Sequence, residues 1–402
     1  MFQTFENKRL TKVNGMTKIM FSVLILAITS LQALADHPVA TENHGEVHEA
    51  EADHHGDNSH DEKFNAGEMI MHHIADAHQI HWMTFNEGEE GEWHLAANLP
   101  IILWGDNGLE IFGSGKFYHG EEIHLEKGHG YAYEDKYIMV DEVIYNAEGG
   151  LKYDEAGAIM NSAPIDFSIT KTVVGLLLTT LIVLLILISV GKAYKKRGHK
   201  VAPSGLQSLM EPLIVFVEEQ IIVPSIGSRA KAAKFTPFLL TVFFFIWVAN
   251  LLGLMSFLGG YNVMGSISVT LVLALAVMII TNVNGNKNYW KHILWPDGVP
   301  AVIKILILVP IEVIQIVLKP AVLMIRLTAN ITAGHIIILA FTALIFIFGE
   351  TSAVAGWGVG IGSVVFMVFM FFIELLVAFL QAYVFTLLAS LYFGSAVEEA
   401  HH

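Results

Sequence analysis

Two apolar stretches near the C-terminus constrain the fold most, because each is too long for a plain membrane crossing and each carries polar residues. They span residues 302–348 and 359–393. A helix of about 20 apolar residues already crosses the hydrocarbon core of a bilayer. We therefore predict that the two stretches form a long tilted helical hairpin within a membrane.

Three further apolar segments precede the hairpin and are suited to single crossings, at residues 172–190, 235–258 and 267–281 with its flanks. The composition agrees, because 15% of the 402 residues are charged, whereas soluble proteins carry about 25%. The sequence thus predicts an all-α polytopic membrane protein with five transmembrane segments, preceded by a small β-rich extramembrane domain.

The formal net charge of −15 combines two unlike regions. Residues 36–164 hold 27 acidic and 5 basic residues together with 14 of the 19 histidines, whereas the rest of the chain holds 11 acidic and 18 basic residues. Nucleic acid is an improbable partner for an acidic chain whose basic residues mostly flank apolar runs. The sequence has no cysteine, which excludes disulfides, zinc–thiolate sites and thiol catalysis.

The N-terminal segment resembles an export signal. In residues 1–35, basic side chains precede an apolar stretch that ends in Ala33-Leu34-Ala35, so we expect a signal peptide. A retained first transmembrane helix is the alternative. Residues 36–63 are rich in His, Asp, Glu and Gly and are expected to form a disordered tail. Its histidines leave open a loose divalent-metal site, but no dedicated metal or cofactor site is expected.

Residues 64–164 are expected to form a small periplasmic domain. An amphipathic helix at residues 64–80 is followed by short apolar segments between Gly, Asn and Asp turn signals, which favours strands and hairpins. The segments lie at 93–95, 99–104, 111–112, 137–140 and 151–153. The core is expected to contain large aromatic residues, namely Trp82, Trp93, Trp104 and Phe117.

The distribution of Lys and Arg orients the membrane domain, residues 165–402. The basic clusters fall in loops 191–235 and 285–301, which places both loops in the cytoplasm. The N-terminal domain then lies in the periplasm and the C-terminus in the cytoplasm of a bacterial inner membrane. Residues 206–222 are apolar but broken by acidic residues and Pro212, so we expect a helix on the cytoplasmic interface.

Charged residues at bilayer depth are costly and are therefore functional candidates. Glu312, Lys319 and Arg326 follow at seven-residue spacing, so they share one helix face, which Asn330 extends. His335 lies half a turn off that face and about 13 Å further along the axis. Internal pairing of Arg326 with Glu312, or outward snorkelling of its side chain, is the structural alternative.

The last apolar stretch carries a second polar face, formed by Glu374 and Gln381. If residues 349–358 are the turn of an antiparallel hairpin, His335 matches Glu374 in depth and Arg326 matches Gln381. His and Glu exchange protons readily, whereas Arg stays protonated in proteins. The pattern indicates a proton path that Arg326 interrupts.

Four motifs in the membrane domain are specific enough to indicate a family. They are Ile325-Arg326-Leu327-Thr328-Ala329-Asn330, Ala333-Gly334-His335, Leu380-Gln381-Ala382 and Trp247-Val248-Ala249-Asn250. Over roughly residues 165–402 the chain resembles subunit a of F-type ATP synthases. The His-rich extension resembles the N-termini of some Bacteroidetes-type members.

The resemblance implies the stator of a rotary proton motor, with two proton half-channels and no catalytic site of its own. Arg326 would face the carboxylates of the rotor c-ring. The proton path would include His335, Glu374, Gln381, Asn330, Asn250, Glu312 and Lys319. The implied partners are the c-ring, the peripheral stalk b subunits, the remaining ATP synthase subunits, protons and the lipid membrane.

Two departures from the family pattern are visible. His335 and Glu374 are exchanged relative to many bacterial members, as in mitochondrial ones, which preserves the chemistry. Gly253 stands where the family has an acidic residue, so one polar waypoint is missing or replaced by water. An independent ion channel or secondary transporter remains an alternative, although we find no inverted repeat. A metal-binding envelope protein anchored by its spans is a weaker one.

Overall fold

A computed structural model describes residues 66–85, 93–105, 108–118, 120–125, 128–147, 150–153, 159–197, 202–255, 260–295 and 300–399. The predictions for the signal peptide and the acidic tail fall on residues 1–63, outside the described residues. The described chain consists of a β-rich module, residues 66–166, and a helical membrane part from Lys171 to Val397.

The β-rich module contains short helices and three antiparallel sheets. In chain order its elements are α1 (Ala66–Ile74), β1 (Gln79–Phe85), β2 (Trp93–Asn98), β3 (Pro100–Gly105), β4 (Gly108–Gly113), α2 (Gly115–Tyr118), β5 (Glu121–Leu125), β6 (Gly128–Tyr133), β7 (Tyr137–Val140), β8 (Val143–Asn146) and β9 (Ile165–Asp166). The strand orders are β1-β2, β4-β3-β9 and β5-β6-β7-β8.

Tight turns account for the hairpins. Gly105 pairs with Gly108 at the end of the β3–β4 hairpin, and Gly108 has a positive φ of 92°. Asp141 and Glu142 join β7 to β8 with φ angles of 49° and 67°, the conformation that a two-residue hairpin turn requires. This conformation is uncommon for residues other than glycine, and the Glu142 side chain is held by hydrogen bonds described below.

The β-rich character of this region is confirmed, but several details of the prediction are wrong. The helix expected at 64–80 ends at Ile74, because Gln79 and Ile80 pair with β2. The strand expected at 137–140 is present, whereas residues 151–153 contribute only an isolated bridge from Tyr153 to Ile159. Strands β1, β5, β6 and β8 were not expected.

The aromatic core is only partly as predicted. Phe117 is fully buried, but Trp82 and Trp104 are 39% and 59% exposed. Side chains alternate between the two faces of a strand, so the burial of Leu103 on β3 turns Trp104 away from the core. The side chain of Trp93 lies outside the described part of the chain.

His78 is the centre of a buried charged cluster that joins separate strands. Its Nδ1 lies 3.1 Å from Glu142 Oε2 and its Nε2 lies 3.2 Å from Asp166 Oδ2. The Glu142 carboxylate also accepts from the His78 backbone N–H and from the Tyr118 hydroxyl. Burial alone would lower the pKa of His78, but the hydrogen bonds and charges of Asp166 and Glu142 raise this pKa to about 10. The imidazole is therefore charged at neutral pH.

The membrane part is a set of long apolar helices. They are α3 (Lys171–Arg197), α4 (Leu206–Phe216), α5 (Val223–Ile226), α6 (Arg229–Leu254), α7 (Ile267–Val283), α8 (Lys287–Leu294), α9 (Ala301–Ile303), α10 (Val309–Thr351) and α11 (Ala353–Val397). π-helical segments, Val217–Ile222 and Lys304–Leu308, link α4 to α5 and α9 to α10, and a 3₁₀ turn, Val263–Gly265, precedes α7.

Within the described residues, four helices are long and apolar enough to cross a membrane, and a bent pair adds a fifth candidate. The four are Lys171–Lys196, Arg229–Leu254, Ala301–Thr351 and Ala353–Val397. The pair is α7 and α8, which are bent by 104°. The predicted polytopic helical class is thereby confirmed. The segment expected on the interface, 206–222, packs against α6 and α11 and buries Val217, Ile221 and Ile222.

The hairpin of α10 and α11 has a tighter turn than the sequence suggested. Helix fills the expected loop at 349–358 except at Ser352, whose extended backbone reverses the chain and whose hydroxyl accepts from the Ala355 N–H. A Cβ added at Gly356 would lie 2.8 Å from the Gly349 Cα. These glycines therefore permit a close helix contact where the sequence suggested a flexible loop.

We predict that His78→Ala destabilises the β-rich module by about 2–3 kcal/mol, because it leaves two half-buried carboxylates without their cation and its hydrogen bonds. The native pKa is raised above the unfolded value, so the His78 contribution is complete below about pH 6.5 and is lost as pH rises towards 10. Hydrogen–deuterium exchange of residues 77–79 in the purified protein, expressed as protection factors between pH 6 and pH 10, measures both effects.

Lys136→Ala is the matched control, since Lys136 lies 3.9 Å from Glu110 in an exposed ion pair. Such pairs contribute about 0–1 kcal/mol. Equal protection in the native protein and the His78 variant at every pH would contradict the assigned role of the cluster.

Candidate functional site

Arg326 projects from an exposed face of α10. Asn330 and Ala333 share this face, while Leu323 and Leu327 on a neighbouring face are buried. Among the described residues, no carboxylate forms an ion pair with Arg326, so the alternative of internal pairing with Glu312 is not realised. An arginine cannot discharge itself by losing its proton. Its charge is therefore available to a partner outside the chain.

A hydrogen bond between two threonines contributes to the rotation of α10 that exposes Arg326. The hydroxyls of Thr270 on α7 and Thr328 on α10 lie 2.7 Å apart, and Thr270 is fully buried. Thr328 lies two residues after Arg326, which is about 200° around the helix. Because the hydrogen bond holds Thr328 against α7, Arg326 points away from α7. This pair could not be predicted from the sequence, since isolated threonines are common in apolar helices.

Glu312 and Lys319 lie earlier on α10 and are both half-buried. The Lys319 Nζ lies 5.9 Å from the ring centroid of Tyr392 on α11. Glu312 interacts electrostatically with Tyr289 on α8. These contacts place polar groups of three helices at the end of the hairpin that is remote from Ser352.

His335 turns inward, towards α6. Its Nε2 lies 3.7 Å from the position that a Cβ at Gly253 would occupy. The same position is 3.1 Å from the Tyr261 carbonyl oxygen. The missing side chain at Gly253 therefore leaves room for the imidazole, a relation that sequence reasoning overlooked when it treated Gly253 only as a lost acidic residue.

Glu374 is buried against the backbone of α10. A Cβ at Gly334 would overlap Glu374 Oε1 and would lie 2.9 Å from its Cδ. Neither carboxylate oxygen of Glu374 has a hydrogen-bond partner among the described residues. Glu374 thus lies against Gly334, the residue next to His335, but it forms no hydrogen bond with the His335 side chain. Gly334, in the quoted motif Ala333-Gly334-His335, makes this approach possible.

Asn250 and Gln381 lie buried on helices α6 and α11. The Asn250 Nδ2 donates to the Ala378 carbonyl oxygen at 3.2 Å, whereas its Oδ1 has no partner among the described residues. Ala378 is one turn from Glu374 and three residues before Gln381. Gln381 forms no hydrogen bond with Arg326 in the described structure, so the structure does not join the residues that the depth argument paired.

The site thus has two chemically distinct faces. On the inside, the buried oxygens of Glu374 and Asn250 have no hydrogen-bond partner within the part of the chain that the structure describes, and buried groups of this kind are normally satisfied by water. On the outside, a permanent positive charge lies on an exposed helix face that also carries Asn330. The inner groups can exchange protons, whereas the outer one can only attract an anion.

Comparison with known proteins assigns the membrane part. The family described as ATP synthase A chain matches residues 174–394, more than half of the chain. The chain belongs to the ATP synthase subunit a family. The resemblance inferred from the Arg326 and Gln381 motifs is therefore confirmed. A second family, described as Domain of unknown function (DUF8433), matches residues 69–167, which coincides with the β-rich module.

Individual relatives extend this result. ATP synthase subunit a of Chloroherpeton thalassium is 39% identical over 59% of this chain and 69% of its own length. Its counterpart in Pelodictyon phaeoclathratiforme is 41% identical over 60% and 68%. ATP synthase subunit a 2 of Prosthecochloris aestuarii is 34% identical over 77% of this chain and 94% of its own length. The 77% of this chain that this alignment covers is more than residues 165–402 can supply, so the similarity extends into the N-terminal region.

The chain is accordingly a membrane subunit of an ATP synthase and works with the other subunits of that complex in ATP synthesis and proton transport. Membership of this family replaces the alternatives considered from the sequence, namely an independent channel, a secondary transporter and a metal-binding envelope protein.

We predict that Gly334→Ala lowers proton-driven ATP synthesis by about tenfold or more, because the added Cβ displaces the Glu374 carboxylate and misplacements of about 1 Å cost rates of this order. Synthesis by the reconstituted complex, driven by an imposed pH gradient, is the measurement. Gly362→Ala on α11 is the control, since nothing lies within 4 Å of a Cβ there. Equal rates for the two variants would show that the Glu374 contact is unimportant.

Proposed function

We propose that this chain forms two proton half-channels against the rotor c-ring and couples proton flow to rotation and ATP synthesis. The observation that carries the proposal is the exposed, internally unpaired Arg326 on an apolar helix. A charge at bilayer depth costs about 2.5–3.5 kcal/mol on insertion scales. A carboxylate on each passing c subunit would compensate this charge, and the open face of α10 gives such a ring access.

The inner polar face supports an inlet. His335, Glu374 and Asn250 line adjoining positions of α10, α11 and α6, and the free oxygens of Glu374 and Asn250 would be hydrated. A proton entering there would pass from His335 or Glu374 to the ring carboxylate. Gln381 lies two helical turns after Glu374 on α11 and would extend the route towards Arg326.

A second polar group supports the exit. Glu312 and Lys319 lie at the other end of α10, with Asn330 between Arg326 and the inlet. The nine residues from Arg326 to His335 make about two and a half helical turns, so the two side chains lie half a turn apart around the axis and about 13 Å apart along it. Inlet and exit are thereby offset around and along one helix, and the fixed charge of Arg326 would prevent direct proton passage between them.

The proposed cycle follows from these positions. A protonated ring carboxylate is neutral and can move into lipid, whereas a deprotonated one is held by Arg326 until the inlet supplies a proton. Each 100 mV of membrane potential contributes about 2.3 kcal/mol per proton. The basic loops favour a bacterial inner membrane with the β-rich module in the periplasm and the C-terminus in the cytoplasm. Peripheral stalk b subunits would hold the chain against the torque.

We predict that Arg326→Ala abolishes ATP synthesis in membrane vesicles while the complex still assembles, because the ring carboxylate loses its fixed counter-charge. Arg326→Lys should recover little activity, since a lysine lacks the planar fork of donors that arginine presents to a carboxylate. The rate of synthesis driven by a proton gradient is measured, with assembly checked by co-purification of the ring.

Arg229→Ala serves as the control, because Arg229 is an exposed arginine at the start of α6 that pairs with Glu219 on the same chain. Its rate should stay near that of the native complex. Normal synthesis in an assembled Arg326→Ala complex would refute the proposed mechanism.

A further inference from the structure

The β-rich module is joined to the membrane part at the first turn of α3. Asp76 Oδ1 accepts from the Thr172 backbone N–H at 2.8 Å and from the Ala77 N–H at 3.0 Å. The Lys171 N–H donates to the Ala77 carbonyl oxygen at 2.8 Å. A carboxylate that accepts from the free N–H groups of a first helical turn stabilises the helix. A module residue thus completes the helix that enters the membrane part.

The same joint holds a lysine close to the proposed inlet. The half-buried Lys171 donates from Nζ to the His73 carbonyl oxygen at 3.4 Å, and it interacts electrostatically with His335. His73 lies on α1, which packs against α10, the helix that carries His335. One module segment therefore contacts both the lysine and the helix of the inlet histidine.

The module and the membrane part share one hydrophobic core, which reaches the surroundings of His335. Ile80 and Leu99 of the module belong to the same buried cluster as Leu176 and Tyr261 of the membrane part. Tyr261 in turn contacts Gly253, the residue that makes room for His335. The module is thus continuous with the wall of the inlet.

We propose that the β-rich module forms the outer rim of the proton inlet and that Lys171 is a positioning residue whose positive charge at this rim controls proton delivery to His335. The proposal rests on the half-channel function above. Asp76 and Glu142 act on Lys171 from the module, and Glu374 approaches the inlet from α11. The positive charge of Lys171 opposes the entry of cations, including protons. It therefore slows proton entry when the external proton concentration is low.

The absence of cysteine from the sequence allows a direct test. In the reconstituted complex, Lys171→Cys is labelled from the outer side with two thiosulfonate reagents of similar size, one carrying a trimethylammonium group and one a sulfonate. At alkaline external pH, we expect the anionic adduct to support ATP synthesis about fivefold faster than the cationic one. The two adducts differ by two unit charges, and a difference of this size at about 8 Å in a water-like dielectric changes the local proton activity by this order. The cationic adduct should reproduce the native rate.

Lys152→Cys is the control, since Lys152 is an exposed lysine of the same module. Its two adducts should give equal rates, and the native complex treated with both reagents corrects for cysteines of other subunits. Equal rates for the two adducts at position 171, with labelling shown complete by mass spectrometry, would overturn the proposal. So would the same difference at position 152.

The joint itself is tested in the Lys171→Cys background. Asp76→Asn keeps the side-chain oxygen that caps α3 and should preserve the difference between the adducts, whereas Asp76→Ala removes the cap and should abolish it. An unchanged difference in the alanine variant would show that the joint does not position residue 171. Arg326→Ala tests the half-channel function separately, so failure of the rim proposal and failure of that function can be told apart.

Discussion

A guanidinium that cannot be discharged, on the open face of an apolar helix, is the constraint on which the membrane part depends. Arg326 finds no acidic partner among the described residues, which leaves its charge available for the rotor carboxylates proposed above. Its use also requires that α10 keeps one rotation. The Thr270–Thr328 hydrogen bond and the burial of Leu323 and Leu327 supply this, because they fix the opposite and neighbouring faces.

On the inner face of the same hairpin, titratable side chains lie where helices are in close contact. Glycines make this possible. Gly334 leaves space for the Glu374 carboxylate, and Gly253 leaves space for the His335 imidazole. A side chain at either position would separate the helices or displace the polar group. The arrangement of the inlet thus depends as much on missing side chains as on the polar residues themselves.

The sequence predicted the hairpin and its polar residues because helix period and apolar length are local properties. It placed the turn correctly within residues 349–358 but made it too long, because Gly349 and Gly356 lie in the helices and permit close packing there. It paired His335 with Glu374 and Arg326 with Gln381 by depth alone, and depth does not determine hydrogen bonding. Strands such as β5 and β6, rich in charged residues and glycine, lack the alternation that identifies a half-buried strand.

The joint between module and membrane part was beyond sequence reasoning, because Asp76 and Thr172 are 96 residues apart. Its organisation is nevertheless simple. Asp76 caps α3, Ala77 accepts from the first residue of that helix, and His78 ties β9 to the β7–β8 turn. Three consecutive residues thus connect the charged cluster of the module to the helix start beside His335. A displacement of the module would therefore move the start of α3, and this connection is the route by which the proposed rim would act on proton entry.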